Sequence, residues 1–252
     1  MGGITSKIPC LPYPGGKGRL AKTIIDVAPK SGRIYVEPFV GLANVFWTAA
    51  NRCSFQEWWL NDFATMPFFQ AVLSVGKDIV VPPRSKQLYY EMRDAAEKGD
   101  PVGVVLEPYL SFSGGGYRNG GPGWSAKSQS AETYQRKVRD CYTILTVTKP
   151  YLTSLDWVAM DWRALGPDDF VYLDPPYLEC DVRAYDNDTV NHRTMVEMLL
   201  QAKFKWVLSE YPHPLYLSTL GEPFWRKDVQ LVVKDRKRHN EERRVECLWK
   251  NY

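Results

Sequence analysis

The feature that most constrains the fold is the run Asp169–Leu173, followed at once by Asp174-Pro175-Pro176-Tyr177. The first run is apolar and rich in β-forming residues, which predicts a buried strand. Neither proline can donate a hydrogen bond to a neighbouring strand, so the strand must end there. A carboxylate, two residues of fixed φ and an aromatic ring therefore follow the carboxyl end of a strand. In open α/β sheets this is the edge where ligands bind.

This group of residues suits a planar amine as substrate. The amine could donate one hydrogen bond to the carboxylate of Asp174 and another to the carbonyl of Pro175, and both bonds would draw its lone pair towards an electrophile. The ring of Tyr177 offers a face on which a flat heterocycle can stack. A plain turn that ends a strand is the alternative, because a motif this short is weak by itself.

Two motifs precede this turn, and the three together resemble a known family. They are Pro12–Arg19, with the sequence PYPGGKGR, and Val36–Asn44, with the sequence VEPFVGLAN. In this order they resemble the Dam-like adenine-N6 DNA methyltransferases, the D12 class. The resemblance runs from about Leu11 to Tyr252.

The resemblance implies a fold, a cofactor and a division into domains. It implies a Rossmann-like α/β methyltransferase sheet of about seven strands, mostly parallel, with helices on both faces and a terminal antiparallel hairpin. The cofactor would be S-adenosylmethionine. Residues 1–62 and 151–252 would form the catalytic domain, and residues 63–150 an inserted helical target-recognition domain that binds double-stranded DNA.

Composition agrees with such a protein. The chain has 252 residues, 44% of them hydrophobic, which suits one large α/β domain or one domain with an insertion. It has no apolar run long enough to span a membrane and no secretion signal at its start. Its five cysteines are far apart and form no C-x-x-C pair, so they predict neither a zinc site nor a disulfide framework. We expect a metal-free cytoplasmic enzyme of a bacterium or a phage-infected cell, as a monomer or weak dimer.

Positive charge is gathered in two places. Residues 234–244 contain six Lys or Arg and three acids, and residues 117–139 contain five and one. Together they carry a net charge of +7, whereas the whole chain carries +3, so the remainder is about −4. Such clustering favours a surface that meets a polyanion, although a solvated face is the alternative for any single cluster.

A strand, a glycine turn and a helix indicate a cradle for a nucleoside cofactor. Arg33–Phe39 predicts the strand, Gly41 permits a tight turn, and Leu42–Arg52 predicts the helix. A second predicted strand ends at Asp62, about 20 residues later, the position from which an acid binds ribose hydroxyls. The alternative for Asp62 is to cap the following helix.

The resemblance assigns further residues to the cofactor. Lys17 would reach the methionyl carboxylate and Tyr13 would lie against the apolar part of the cofactor. The family usually has a second glycine where this chain has Ala43. The full cofactor set is Tyr13, Gly16, Lys17, Glu37, Phe39, Gly41, Asn44, Asp62 and Asp174.

The middle of the chain predicts helices around a glycine-rich segment. Residues 85–98, capped by Ser85, Val102–Leu110 and Ala131–Val147 are the helices. Ser111–Trp124 is too rich in glycine to hold a regular element by itself. A disordered linker is the alternative, although its three aromatic residues are unusual for a linker. The residues expected to face DNA are Arg118, Asn119, Lys127, Arg136, Lys137, Arg139, Arg236, Lys237 and Arg238.

The last third of the chain predicts the rest of the sheet. Leu178–Asp188 is expected to be a mobile loop over the site, Asn191–Lys203 an amphipathic helix and Lys205–Ser209 a strand. Asp228–Lys234 and Arg243–Lys250 are expected to form the terminal hairpin.

The predicted activity is sequence-specific methyl transfer from S-adenosylmethionine to the N6 amine of adenine, after the base is flipped out of the duplex. Asp174, Pro175, Pro176 and Tyr177 would be the catalytic residues. Three alternatives stay open: methylation of cytosine N4 or an RNA base, a non-catalytic DNA binder that senses the cofactor, and a protein-amide methyltransferase. The recognition sequence is not readable, nor is the role as a solitary enzyme, a phage enzyme or a restriction partner.

Overall fold

The computed structural model describes residues 3–123, 129–178, 190–231 and 242–252. These residues contain seven strands of a mixed sheet, together with helices. The chain divides into two compact units, residues 1–160 and residues 161–252. No helix in the described parts is long and apolar enough to cross a membrane. Within those same parts, no group of His, Cys, Asp or Glu could hold a metal ion.

The first unit contains three parallel strands in the order β3-β2-β1. They are β1 (Ser31–Glu37), β2 (Ser54–Asn61) and β3 (Tyr151–Thr153). β1 pairs with β2 from Ser31 opposite Ser54 to Glu37 opposite Leu60, and β3 pairs only with the last three residues of β2. The second half of β1 is buried, as expected for a parallel strand covered on both faces.

The described residues of the same unit contain seven α-helices. They are α1 (Ala21–Val27), α2 (Asn44–Arg52), α3 (Met66–Val75), α4 (Lys86–Glu97), α5 (Pro101–Leu110), α6 (Gly116–Asn119) and α7 (Ala131–Thr148). The predicted cap of α4 is confirmed, because the hydroxyl of Ser85 accepts a hydrogen bond from the Leu88 amide at 2.9 Å. Asp100 and Ser130 cap α5 and α7 in the same way.

Helices α3 to α7 share the compact unit of residues 1–160 with strands β1 to β3. The predicted boundaries of an inserted domain, at 62/63 and 150/151, fall inside this unit. The assignment of residues 63–150 to target recognition stays a prediction.

The glycine-rich segment is more ordered than its composition predicts. It contains a 3-10 turn at Phe112–Gly114 and the short helix α6, and Ser111 bridges Pro122. Side chains outside the glycines supply the missing stability: Glu107 accepts the Tyr117 amide at 2.7 Å, and the Tyr117 hydroxyl donates to the Gly103 carbonyl at 2.9 Å. Tertiary hydrogen bonds therefore override the low intrinsic propensity of glycine.

The second unit contains, among its described residues, four strands in the order β4-β5-β7-β6. They are β4 (Phe170–Leu173), β5 (Lys205–Glu210), β6 (Trp225–Leu231) and β7 (Glu242–Lys250). β4 and β5 are parallel, whereas β7 runs antiparallel to both β5 and β6. The terminal hairpin is thus confirmed, with its first strand beginning three residues before the predicted Asp228.

The described part of this unit also contains two α-helices, α8 (His192–Gln201) and α9 (Pro214–Leu220). All four residues of β4 are buried, as its apolar sequence predicts. The predicted mixed, mostly parallel sheet of about seven strands is confirmed. Strand β3 and helix α9 were not predicted from the sequence.

Candidate active site

The turn after β1 has an unusual backbone. Gly41 has φ +51° and Ala43, the residue before α2, has φ +58°. The amide of Ala43 donates to the Val40 carbonyl at 2.8 Å, which closes the turn. A left-handed conformation costs a residue with a Cβ roughly 1–2 kcal/mol. The structure therefore gives Ala43 the conformation that a glycine adopts without strain.

The loop Tyr13–Lys17 lies against this turn. A Cβ added to Gly41 would meet the Tyr13 ring at 3.0 Å, and one added to Gly16 would meet the Asn44 amide nitrogen at 2.8 Å. Lys17 is buried, and its ammonium donates to the Gly15 carbonyl at 3.1 Å. The structure thus brings these predicted cofactor residues together, and the two glycines are needed for the close approach.

Asn44 connects the loop to helix α2. Its side-chain oxygen accepts from the Leu11 amide at 3.0 Å, and its side-chain nitrogen donates to the Leu11 carbonyl at 3.2 Å. The side chain is buried, so this pair of bonds fixes the position of the loop. A direct contact between Asn44 and a cofactor stays a prediction.

Asp62 follows β2 directly, at the predicted edge. One carboxylate oxygen accepts the Gly41 amide at 2.9 Å, and the other accepts the amides of Ala64 and Thr65 at 2.9 and 3.0 Å. Asp62 therefore caps the turn into α3 and also fixes the glycine turn. A carboxylate has about four acceptor sites, so its ribose role stays compatible with these three bonds.

Glu37 and Phe39 lie at the end of β1. Glu37 is 2% exposed and accepts the hydroxyl of Tyr35 at 2.5 Å. The ring of Phe39 packs against Trp157, with ring centroids 6.2 Å apart. Both side chains have protein partners, and their contact with a cofactor stays a prediction.

Sequence reasoning missed Asn61, which holds three strand ends of the first unit together. Its side chain donates to the carbonyls of Pro38 and Leu155, both at 3.0 Å. It accepts from the Thr153 hydroxyl at 2.8 Å and the Leu155 amide at 2.9 Å. The available signal was a polar residue at the end of a buried strand, directly before Asp62.

The turn Asp174–Tyr177, which the sequence predicts to be catalytic, begins where β4 ends in the second unit. Asp174 is half-buried, Pro175 is buried, and Tyr177 is half-buried. The Tyr177 ring lies edge-on to Tyr211, with centroids 4.5 Å apart, and its hydroxyl donates to Glu246 on β7. Burial, with the nearby carboxylates of Asp174 and Glu246, raises the pKa of Tyr177 well above its ordinary value of 10. Tyr177 therefore stays neutral and its ring is fixed.

Two buried acids behind this turn were not singled out from the sequence. Glu246 is 5% exposed and holds the Tyr177 hydroxyl, while Glu210 is fully buried and accepts the Leu178 amide at 3.2 Å. Each lies beside buried strand residues: Glu210 ends β5 after the buried Leu208 and Ser209, and Glu246 precedes the buried Cys247 in β7. An acid inside a buried strand is the signal that could have found them.

The basic residues of α7 are engaged with the protein itself. Arg136 pairs with Asp140 at 2.8 Å, Lys137 donates to the Cys10 carbonyl, and Arg139 donates to the Lys77 carbonyl at 3.3 Å. Burial lowers the pKa of Lys137. Phosphate binding by these residues would need some of these bonds to be exchanged.

The remaining residues predicted to face DNA are placed only in part. Arg118 is exposed on α6, and Asn119 is the last residue of that helix. Lys127, Arg236, Lys237 and Arg238 lie outside the described residues, as does most of the loop predicted at Leu178–Asp188. Their DNA contacts stay predictions.

Comparison with known proteins finds a family match for the part of the chain that holds the loop Tyr13–Lys17, the glycine turn and Asp62. Residues 13–100 match the family model of the D12 class N6 adenine-specific DNA methyltransferases. The sequence-based resemblance is confirmed there. The matched residues include the loop, the glycine turn and Asp62, and the match indicates a DNA adenine methyltransferase enzyme. The matched segment is roughly a third of the chain.

No curated protein matches the chain, but solved structures do. One, from Pyrococcus horikoshii, is PH1948, described as a "putative RNA methyltransferase"; it is 10% identical, with 99% of this chain and 90% of that chain covered and a TM-score of 0.41. Another is SMU.472, described as a "putative methyltransferase complexed with SAH"; it is 11% identical, with 99% and 54% covered and a TM-score of 0.40.

Proposed function

We propose that this protein transfers a methyl group from S-adenosylmethionine to the N6 amine of adenine in double-stranded DNA. The observation that carries the proposal is the Asp174-Pro175-Pro176-Tyr177 turn at the end of the buried strand β4. The match of residues 13–100 to the adenine-specific class supports it. The enzyme would act in the cytoplasm of a bacterium or a phage-infected cell.

The first unit has residues that suit the cofactor. Gly41 and Gly16 permit close packing that a side chain would block, so the Tyr13 ring lies against the glycine turn and the loop lies against Asn44. Lys17 can neutralise a carboxylate, and Asp62 keeps acceptor capacity for a ribose hydroxyl. S-adenosylmethionine, when bound, supplies an electrophilic methyl group.

The catalytic turn would orient the amine. Asp174 and the Pro175 carbonyl accept its two hydrogens, so that its lone pair faces the methyl group, and the carboxylate favours the positive charge that develops on nitrogen. Tyr177, held by Glu246, presents its ring to the base. Because the amine lies inside the duplex, the base must first leave the stack.

DNA binding would involve residues 63–150 and the two basic clusters. The exposed Arg118 on the ordered glycine-rich segment has the donor geometry to contact base edges or phosphates. Replacing Arg236, Lys237 and Arg238 together with Ala should weaken binding almost uniformly across sequences and flatten its salt dependence.

The test is methyl transfer to unmethylated DNA from a methylation-deficient host, followed by nucleoside analysis. N6-methyladenine is the expected product, whereas N4-methylcytosine or no product would contradict the proposal. Asp174→Ala should lower the single-turnover rate at least about 100-fold, the scale of one preorganised catalytic group. The matched control is Asp168→Ala, which removes an exposed acid just before the same strand. Near-native turnover of a folded Asp174→Ala protein would move the chemistry elsewhere.

A further inference from the structure

Glu210, at the end of β5, makes contacts with the segment that follows the catalytic turn. It is 0% exposed. One of its carboxyl oxygens accepts the Leu178 amide at 3.2 Å, and the other accepts the Tyr211 amide at 2.8 Å. Leu178 is the residue directly after Tyr177, so Glu210 fixes the backbone on one side of the aromatic ring. The proposed chemistry gives Glu210 no role.

Two further buried side chains extend this contact to the other side of Tyr177. The Tyr216 hydroxyl, on α9, lies 3.3 Å from the Glu210 carboxyl and is also bonded to Nδ1 of His192, the first residue of α8. The backbone of Pro176 interacts with His192 and raises the pKa of its imidazole, against the larger lowering by burial. The group therefore reaches Leu178 through Glu210 and Pro176 through His192.

We propose that Glu210, Tyr216 and His192 form a buried positioning network that holds Tyr177 in the orientation needed to stack the target base. Backbone contacts at Pro176 and Leu178 bracket this residue, and Glu246 holds its hydroxyl, so both the backbone and the ring tip are fixed. The inference rests on the proposed methyl transfer for its catalytic consequence. The network itself is independent of that function.

The protonation states of the network agree with a positioning role. Burial raises the pKa of Glu210 to about 8 and lowers that of His192 to about 4. At neutral pH both are therefore mostly uncharged, and their bonds are directional hydrogen bonds rather than an ion pair. The titratable groups that bear on Glu210 are Asp174 after β4, His192 on α8, Tyr216 on α9 and Cys247 on β7.

A carboxyl group suits this position because two backbone amides donate hydrogen bonds to it, one to each oxygen. An apolar residue at 210 would leave the amides of Leu178 and Tyr211 without this acceptor in a buried place. Gln keeps the volume but has one acceptor oxygen, so it can serve only one amide. This difference makes a graded series of variants available.

The experiment compares Glu210→Ala and Glu210→Gln with native protein and with the control Glu222→Gln. Glu222 is an exposed glutamate of the same unit, paired with Arg226, and its substitution should change nothing measured here. Single-turnover rate, the Kd values for DNA and S-adenosylmethionine, and hydrogen exchange of the Asp174–Leu178 peptide are measured. The two prolines have no amide, so few amides contribute to the exchange signal.

Glu210→Ala should lower the single-turnover rate by about 10- to 100-fold, the scale of a small misplacement of a reacting group. Both Kd values should stay within about threefold of native, and exchange of the peptide should accelerate. Glu210→Gln should be intermediate in rate, and its rate should lack any titration near pH 8 that the native protein shows. A native rate in Glu210→Ala, or a loss that merely follows the unfolded fraction, would overturn the proposal.

The two proposals can fail separately. If native protein transfers no methyl group to DNA, the proposed function fails, and hydrogen exchange alone then decides the network. Unchanged exchange in Glu210→Ala would show that Glu210 does not hold the turn, whatever the activity.

Discussion

Asp62 gives the sharpest test of the cofactor region, because its carboxylate also accepts hydrogen bonds whose contribution to stability can be measured. Asp62→Ala removes three hydrogen bonds from backbone amides. The amide of exposed Ala64 can bond to water instead, whereas those of half-buried Gly41 and buried Thr65 cannot do so easily. At roughly 1 kcal/mol for each of these two, within the usual range, the expected loss of unfolding free energy is about 2 kcal/mol. For a chain of this length the melting temperature should fall by about 4–8 °C.

The same variant should weaken cofactor binding by more than the distorted turn explains. A lost charged hydrogen bond to ribose would cost about 1.5–3 kcal/mol, which raises the Kd roughly 10- to 150-fold. Thr65→Val is the matched control, because the Thr65 hydroxyl donates to the Gly41 carbonyl at 2.7 Å. It loosens the same glycine and leaves the carboxylate in place.

Thermal unfolding and calorimetry with S-adenosylmethionine measure the two effects. If Asp62→Ala has the same melting temperature as the native protein, the three hydrogen bonds from backbone amides do not stabilise the fold and the structural reasoning is refuted. If the Kd rises no more than in Thr65→Val, Asp62 acts only through the turn and the ribose contact must be abandoned. Asp62→Asn should retain the bonds at Ala64 and Thr65 but lose the one at Gly41, so its melting temperature should be intermediate.

Three further variants test other parts of the structure. Ala43→Gly should change the free energy of unfolding by no more than about 1 kcal/mol, because relief of the left-handed backbone offsets the lost methyl group. Ala49→Gly, inside α2, should lower it by about 1.5–2 kcal/mol. Equal losses in urea unfolding would show that the backbone of Ala43 is not strained. Tyr177→Phe should keep its ring and most of its rate but lose about 1–2 kcal/mol of stability because Glu246 loses a donor, while Tyr177→Ala should lose the rate as well. The raised pKa of Glu210 means that stability fully present below its ordinary pKa of 4.5 is lost as pH rises from there to about 8, by up to about 1.4 kcal/mol per pH unit; unfolding of Glu210→Gln should lack this slope.

The sequence predicted the parts of the fold that local rules determine. Ser85 capped α4 as expected, and the apolar run before Asp174 formed β4. Strand β3 was missed because it has only three paired residues, Tyr151–Thr153. So short a segment cannot display the alternation of apolar and polar residues that indicates a strand. The regular structure of the glycine-rich segment was missed because Glu107, which lies outside the segment, accepts the hydrogen bond that fixes Tyr117.

The supports of the candidate site were missed for a common physical reason. Asn61, Glu210 and Glu246 act on residues far away in sequence, and each is polar at a position where a strand pattern predicts an apolar residue. A local pattern treats such a residue as noise, yet burial without partners would cost several kcal/mol, so a polar residue kept inside a strand must have partners. Glu210 and Glu246 find theirs on either side of the ring of Tyr177, one at the backbone and one at the hydroxyl. Two buried acids directed at the one residue that we propose stacks the target base are costly in stability, and that cost is reasonable only if the orientation of its ring matters to the proposed reaction.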